Sequence, residues 1–237
     1  MAIKAILFDL DGTLLPMDQD VFIKAYFGGI AAKLVPYGFE PKTLIGGIYK
    51  GTDAMINNDG SVTNEEAFWN TFCKIFGEKA RQYEPIFEDF YKNEFDDVKR
   101  VSTSSPIAKD IVDSLKARGI RVILATSPVF PRIATESRIA WAGLEPSDFE
   151  YISTYENSRY TKPNTKYYEE ILEKTGLSPD ECIMVGNDVS DDMIAETLGM
   201  RVFLLTDFLV NRENLDISHY DRGGFTELSV FLDNINN

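Results

Sequence analysis

Short, wholly apolar runs recur along the chain with helical patterns between them. Residues 5–8 read AILF, and comparable runs follow at 122–125, 151–153, 183–185 and 202–205. Continuous apolar runs of this length, rather than alternating ones, predict strands covered on both faces. The helices between them carry clear punctuation. Ser105 and Pro106 supply an N-cap and a first helical residue, Ile107, Ile111 and Leu115 repeat every four residues, and Gly119 closes the segment. Tyr167, Tyr168, Ile171 and Leu172 mark a second apolar helical face, with Asn164 as its N-cap and Gly176 as its stop, and residues 178–181 (SPDE) read as a capping box. Strand alternating with helix predicts an α/β, Rossmann-like core with a largely parallel sheet flanked by helices.

Residues 17–100 break that rhythm. They are rich in Phe, Tyr, Glu and Lys at helical spacing and contain no apolar run suited to a buried strand. This predicts an all-helical insert after the first strand, with the polar, proline-ended stretch 101–106 as the return linker. The expected division is a core of residues 1–16 and 101–237 and a helical cap of 17–100. Phe68, Trp69, Phe72 and Phe76 fall at helical spacing and are expected in the cap's own core. Residues 38–53, with Gly46, Gly47, Gly51 and Lys50, suit either a loop reaching over a substrate or a plain helix connection. Residues 55–66 partly mimic a calcium loop, but Met55 stands where a hard oxygen ligand is required, so a polar turn is expected.

At 237 residues the chain is long enough for a sizeable core. Its formal charge of −14, without a basic run, opposes binding to a nucleic-acid backbone. The two cysteines, Cys73 and Cys182, form no CxxC pair, which argues against a disulfide framework or a thiolate zinc site. No secretory signal and no membrane-length apolar stretch is evident, so a cytoplasmic protein is expected. No obligate protein partner is evident either. The one histidine, His219, lies outside every motif, and a surface role is expected for it.

The first apolar run ends on two carboxylates one residue apart, Asp9 and Asp11, followed by Gly12 and Thr13. In a parallel sheet, residues just past the strands' carboxyl ends converge. Here they are Asp9 and Asp11, then Thr126 and Ser127, then Gly186, Asn187 and Asp188, with Asp191 and Asp192 opening the next helix and Lys162 ahead of another. Several carboxylates in one place call for a divalent cation. Mg²⁺ fits an all-oxygen set that keeps waters and shares a substrate phosphate. A hard cation, a lysine and strand-end hydroxyls beside paired aspartates describe phosphoryl transfer, in which one aspartate attacks phosphorus and the other moves protons.

In that order, DLDGT, ATS, TKP and GNDVSDD resemble the four motifs of the haloacid dehalogenase superfamily. The resemblance covers residues 1–15 and about 101–210. It implies that Asp9 is the nucleophile, Asp11 the general acid and base, Thr126 the phosphate-orienting hydroxyl and Lys162 the charge-neutralising lysine. It also implies that Asp188 completes a Mg²⁺ site with Asp9 and the Asp11 carbonyl, while Asp192, four residues on and expected on the same helical face, acts behind it or through water. Gly12, Thr13, Ser127 and Lys50 are the substrate-binding candidates. The insert resembles the family's C1-type cap. The acid at Asp11 follows the phosphatase branch, so the expected reaction is hydrolysis of a small phosphorylated metabolite through an aspartyl-phosphate. The same residues would also serve a sugar phosphomutase, and the fold could persist in a non-catalytic, metal-binding interaction module.

Overall fold

The computed structural model describes residues 2–235. Six strands, β1 (Ala5–Phe8), β2 (Arg121–Leu124), β3 (Tyr151–Ile152), β4 (Cys182–Gly186), β5 (Arg201–Leu205) and β6 (Asp221–Gly223), form one parallel sheet in the order β3-β2-β1-β4-β5-β6. The pleat sends alternate β1 side chains to opposite faces. Ile6 and Phe8 join one apolar cluster, Ala5 and Leu7 a second on the other side of the sheet, and all four are fully buried. This two-sided burial is why the strand reads as an unbroken apolar run. The edge strand β6, sequence DRG and largely exposed, carries no such signal and is absent from the sequence-based set.

Eight α-helices complete the described chain. Those that flank the sheet are α5 (Pro106–Ala117), α6 (Arg132–Trp141), α7 (Thr165–Thr175) and α8 (Phe225–Asp233). The expected caps are present: Ser105 accepts from the Ala108 N–H, Asn164 from the Lys166 N–H, and Gly176 ends α7 in the left-handed region. The box at residues 178–181 is also formed, with Ser178 and Glu181 bonding reciprocally.

Between β1 and α5 the chain builds α1 (Gln19–Leu34), α2 (Pro41–Ile56), α3 (Asn64–Phe76) and α4 (Glu84–Asn93). It leaves and returns side by side, with Met17 bridged to Ser102 and the Thr103 N–H on the Pro16 carbonyl at 3.0 Å. The loop reading of residues 38–53 is corrected, because 41–56 is helix. Its glycines serve packing: a Cβ at Gly47 would stand 2.3 Å from the Phe76 ring and one at Gly51 2.5 Å from Phe68, so α2 and α3 lie in close contact. Residues 57–63 form the expected polar turn, in which the Asp59 carboxylate takes the Ser61 N–H and Thr63 and Glu66 box the start of α3.

Asn64, fully buried at that helix start, donates its amide to the Pro128 and Tyr160 carbonyls at 3.2 Å and so stitches the insert to loops of the core. One apolar cluster continues from the sheet face into the insert through Phe22, Tyr26, Phe72 and Phe90. Phe72 is fully buried and packs against the rings of Phe68, Trp69, Phe76 and Phe87. Phe72→Ala should therefore cost about 3–5 kcal/mol in urea denaturation. Lys50→Ala, exposed on α2, should stay within about 0.5 kcal/mol of wild type, and similar losses for the two would contradict this packing.

Candidate active site

Strand order reverses at β1, which lies between β2 and β4, and the crevice at such a switch point is where open α/β sheets take ligands. The residues that follow these three strands meet there. Asp9 ends β1 almost buried, at 7% exposure. Its Oδ1 accepts from Lys162 Nζ at 2.8 Å and its Oδ2 from the Thr13 hydroxyl at 3.2 Å. Lys162 also donates to Asp192 Oδ1 at 2.5 Å, so one buried ammonium bridges two buried carboxylates. Burial alone would depress the lysine's pKa, yet Asp192 and Asp9 outweigh it and hold the ammonium well above its ordinary value.

The glycines of the motifs make room for these contacts. Gly12 sits at φ +85°, and a Cβ there would stand 2.4 Å from the Asn187 side-chain nitrogen. Asn187 in turn accepts from Thr13 at 3.1 Å and donates to the Phe208 carbonyl at 2.6 Å. A Cβ on Gly186 would stand 2.1 Å from Asp192 Oδ2, which takes the Asp188 N–H at 2.9 Å. Asp192 thus spends one oxygen on Lys162 and the other on the Asp188 backbone. The expectation that Asp188 and Asp192 share a helical face is corrected: they close a turn, and the short 3₁₀ helix begins only at Met193. Asp191, pushed up to about 6 by burial and by Asp188, holds its carbonyl against the Tyr168 hydroxyl.

Asp188 keeps Oδ1 on the Ser190 and Asp191 N–H groups, while among the described residues Oδ2 has only Arg212, 3.8 Å away. The Asp11 carbonyl is met only by a 3.4 Å contact from Gln19. These under-satisfied oxygens, with Asp9, are the candidates for holding a hard, oxygen-ligated cation. Among the described residues no group of three or more His, Cys, Asp or Glu side chains stands ready to cage a metal by itself. A shared site of this kind does not require one.

Thr126 is buried at the end of β2, its carbonyl held by Ser153 and the Tyr167 hydroxyl, and its own hydroxyl makes no hydrogen bond among the described residues. Ser127 follows, half-buried. Lys50 lies exposed in the middle of α2. His219 is exposed and lies against Tyr220.

Sequence reasoning missed Arg138. It is fully buried on α6 and its guanidinium forms an ion pair with Asp11 Oδ2. Burial raises the Asp11 carboxyl above the usual range, with Arg138 opposing and Asp9 adding to the rise. The available signal was a charge among apolar helical positions, since Ala134 and Ile139 on the same helix are also fully buried.

A parallel α/β sheet with a carboxylate pair, a buried lysine and a cation-ready oxygen set at its switch point defines a hydrolase of phosphoryl-transfer type. Residues 3–199 match the haloacid dehalogenase-like hydrolases, and the chain belongs to that family and is an enzyme. It is 25% identical over 225 residues to a glyceraldehyde 3-phosphate phosphatase of Methanothermobacter thermautotrophicus, covering 94% of this chain and 92% of the relative. It is 26% identical over 208 residues to a phosphoglycolate phosphatase of Vibrio vulnificus, covering 86% and 84%. The fold matches that of a crystallised HAD phosphatase from Thermococcus onnurineus with a TM-score of 0.61 at 20% identity, covering 99% of this chain and 100% of the other. No helix among the described residues is long and apolar enough to cross a membrane.

Lys162→Met strands Asp9 and Asp192 without a counter-charge. A loss of about 3–5 kcal/mol at neutral pH is expected from urea denaturation. The deficit should shrink on acidification, because protonation removes the uncompensated charge. A loss under about 1 kcal/mol would contradict the bridging role.

Proposed function

We propose that this protein is a Mg²⁺-dependent cytoplasmic phosphatase that hydrolyses the phosphomonoester of a small metabolite through an aspartyl-phosphate. The observation that carries the reading is the buried Lys162 ammonium on Asp9 Oδ1, with the second carboxylate, Asp11, two residues on. A carboxylate oriented by a fixed cation is the nucleophile that such a reaction needs.

Asp9 forms a bond to phosphorus as the bond to the ester oxygen breaks, and Asp11 gives its proton to that oxygen as the alcohol leaves. Water then attacks the phosphorus of the acyl phosphate and returns a proton to Asp11, and phosphate leaves with Asp9 restored. Lys162 and the Thr126 hydroxyl hold phosphate oxygens, with Ser127 and the segment at Gly12 and Thr13 lining the same place. Asp9, Asp188 and the Asp11 carbonyl would hold the Mg²⁺, and Asp192 supports that set from behind through Lys162 and the Asp188 N–H. When bound, the cation neutralises phosphate charge and fixes its orientation.

Residues 17–100 act as the cap over a core of 1–16 and 101–237, and exclusion of bulk water beneath them favours small substrates. The names of the two curated relatives, a triose-phosphate and a phosphoglycolate phosphatase, fit that substrate size. Lys50, exposed on α2, has no place in this reading.

Phosphate release from a broad panel of phosphorylated metabolites, with and without Mg²⁺, tests the proposal. Metal-dependent release by wild type, abolished in Asp9→Asn, is expected. Absence of release from every compound by folded protein, or full activity of Asp9→Asn, would overturn it.

A further inference from the structure

Arg138 is the least expected group in the molecule. A fully buried arginine is rare without a compensating partner, and its carboxylate partner is Asp11 alone. The guanidinium is fixed from several sides: Nε donates to the Ala134 carbonyl at 3.2 Å and Nη2 to the Thr135 hydroxyl at 3.3 Å, while Nη1 donates to Asp11 Oδ2. Its Cζ lies 4.4 Å from the Phe130 ring centroid, in the loop that follows Thr126, and 6.0 Å from that of Phe22 on α1 of the insert. A planar fork held by two acceptors of its own helix and covered by aromatic rings has one orientation to offer its partner.

The two oxygens of Asp11 therefore differ. Oδ2 is tied to Arg138, whereas Oδ1 is buried and has no hydrogen-bond partner. An unpaired buried carboxylate oxygen is costly, and its persistence in a functional cleft points to a group that arrives from outside.

We propose that Arg138 is the positioning residue for Asp11: by holding Oδ2 it fixes the carboxyl so that Oδ1, buried and unpaired in this structure, is the oxygen that meets the ester oxygen of a bound substrate. This rests on the phosphatase reading and deepens it. The proton carried by Oδ1 passes to the leaving oxygen as the P–O bond breaks, and the water that opens the acyl phosphate restores it. Because Phe22 belongs to the insert, the clamp on the acid is assembled from both parts of the chain.

The test separates this role from a structural brace through the leaving group. p-Nitrophenolate departs without a proton, whereas an alkoxide does not. The kcat/KM values end at departure of the alcohol, and they are compared for p-nitrophenyl phosphate and the best alkyl monoester of the metabolite panel. In Arg138→Met the alkyl ester should lose about 100-fold or more and the nitrophenyl ester at least about tenfold less than that. In an Asp11→Asn background, where the acid is already gone, adding Arg138→Met should change the alkyl ester by less than about threefold. Arg138→Lys keeps the charge without the fork and should fall between wild type and Arg138→Met. If Arg138→Met does not fold, the same comparisons are made with Arg138→Lys. Equal losses for both esters, or full additivity with Asp11→Asn, would overturn the proposal while leaving the phosphatase reading intact. An inactive wild type would overturn both.

Discussion

The contact on which the site depends is the ammonium of Lys162 between Asp9 and Asp192, all three nearly or fully buried. Two carboxylates out of water repel one another and resist desolvation, and the ammonium fixed between them offsets both costs. The bridge joins the end of β1, the loop before α7 and the turn after β4, so it also locks three chain segments distant in sequence. Replacing all three by apolar groups would ease the burial cost but remove the reason for the arrangement, whereas removing one of them leaves a buried charge without its partner.

The parallel sheet makes that convergence unavoidable. Every strand points its carboxyl end the same way, and the order reversal at β1 places the residues after β2 and β4 on either side of Asp9. Small residues then set the distances: Gly12 yields to Asn187 and Gly186 to the Asp192 carboxylate. The insert contributes where Phe22 reaches the guanidinium that holds Asp11, and Asn64 fastens the opposite part of the insert to Pro128 and Tyr160. Asp11, Arg138 and the insert are thus parts of one packed unit rather than separate modules.

The sequence was most legible where one physical demand dominates. Ala5–Phe8 is buried on both faces and reads as a strand without ambiguity, and the caps at Ser105, Asn164 and Gly176 satisfy backbone groups that nothing else could reach. Asp9, Asp11 and Asp188 were legible because their positions follow strand ends, and Lys162 because it stands just ahead of a helix in the order of the motifs. What failed did so where tertiary packing overrides local chemistry. Gly47 and Gly51 suggested a loop, yet they serve contact with Phe76 and Phe68 inside a helix. The strand β6 is short and polar and exists by pairing with β5. Arg138 went unread, because only the fold pairs α6 with Asp11, 127 residues earlier in the chain.

The central claim is that Asp9 carries the phosphoryl group during turnover. Protein mixed with substrate and Mg²⁺, quenched in acid within milliseconds and digested with an acid-active protease, should yield a phosphorylated peptide containing Asp9 by mass spectrometry. The label should be absent at Asp11 and lost on brief exposure to alkali or hydroxylamine, as an acyl phosphate must be. An actively turning-over enzyme with no phosphoryl group on that peptide, or with the group on any other residue, would contradict the account.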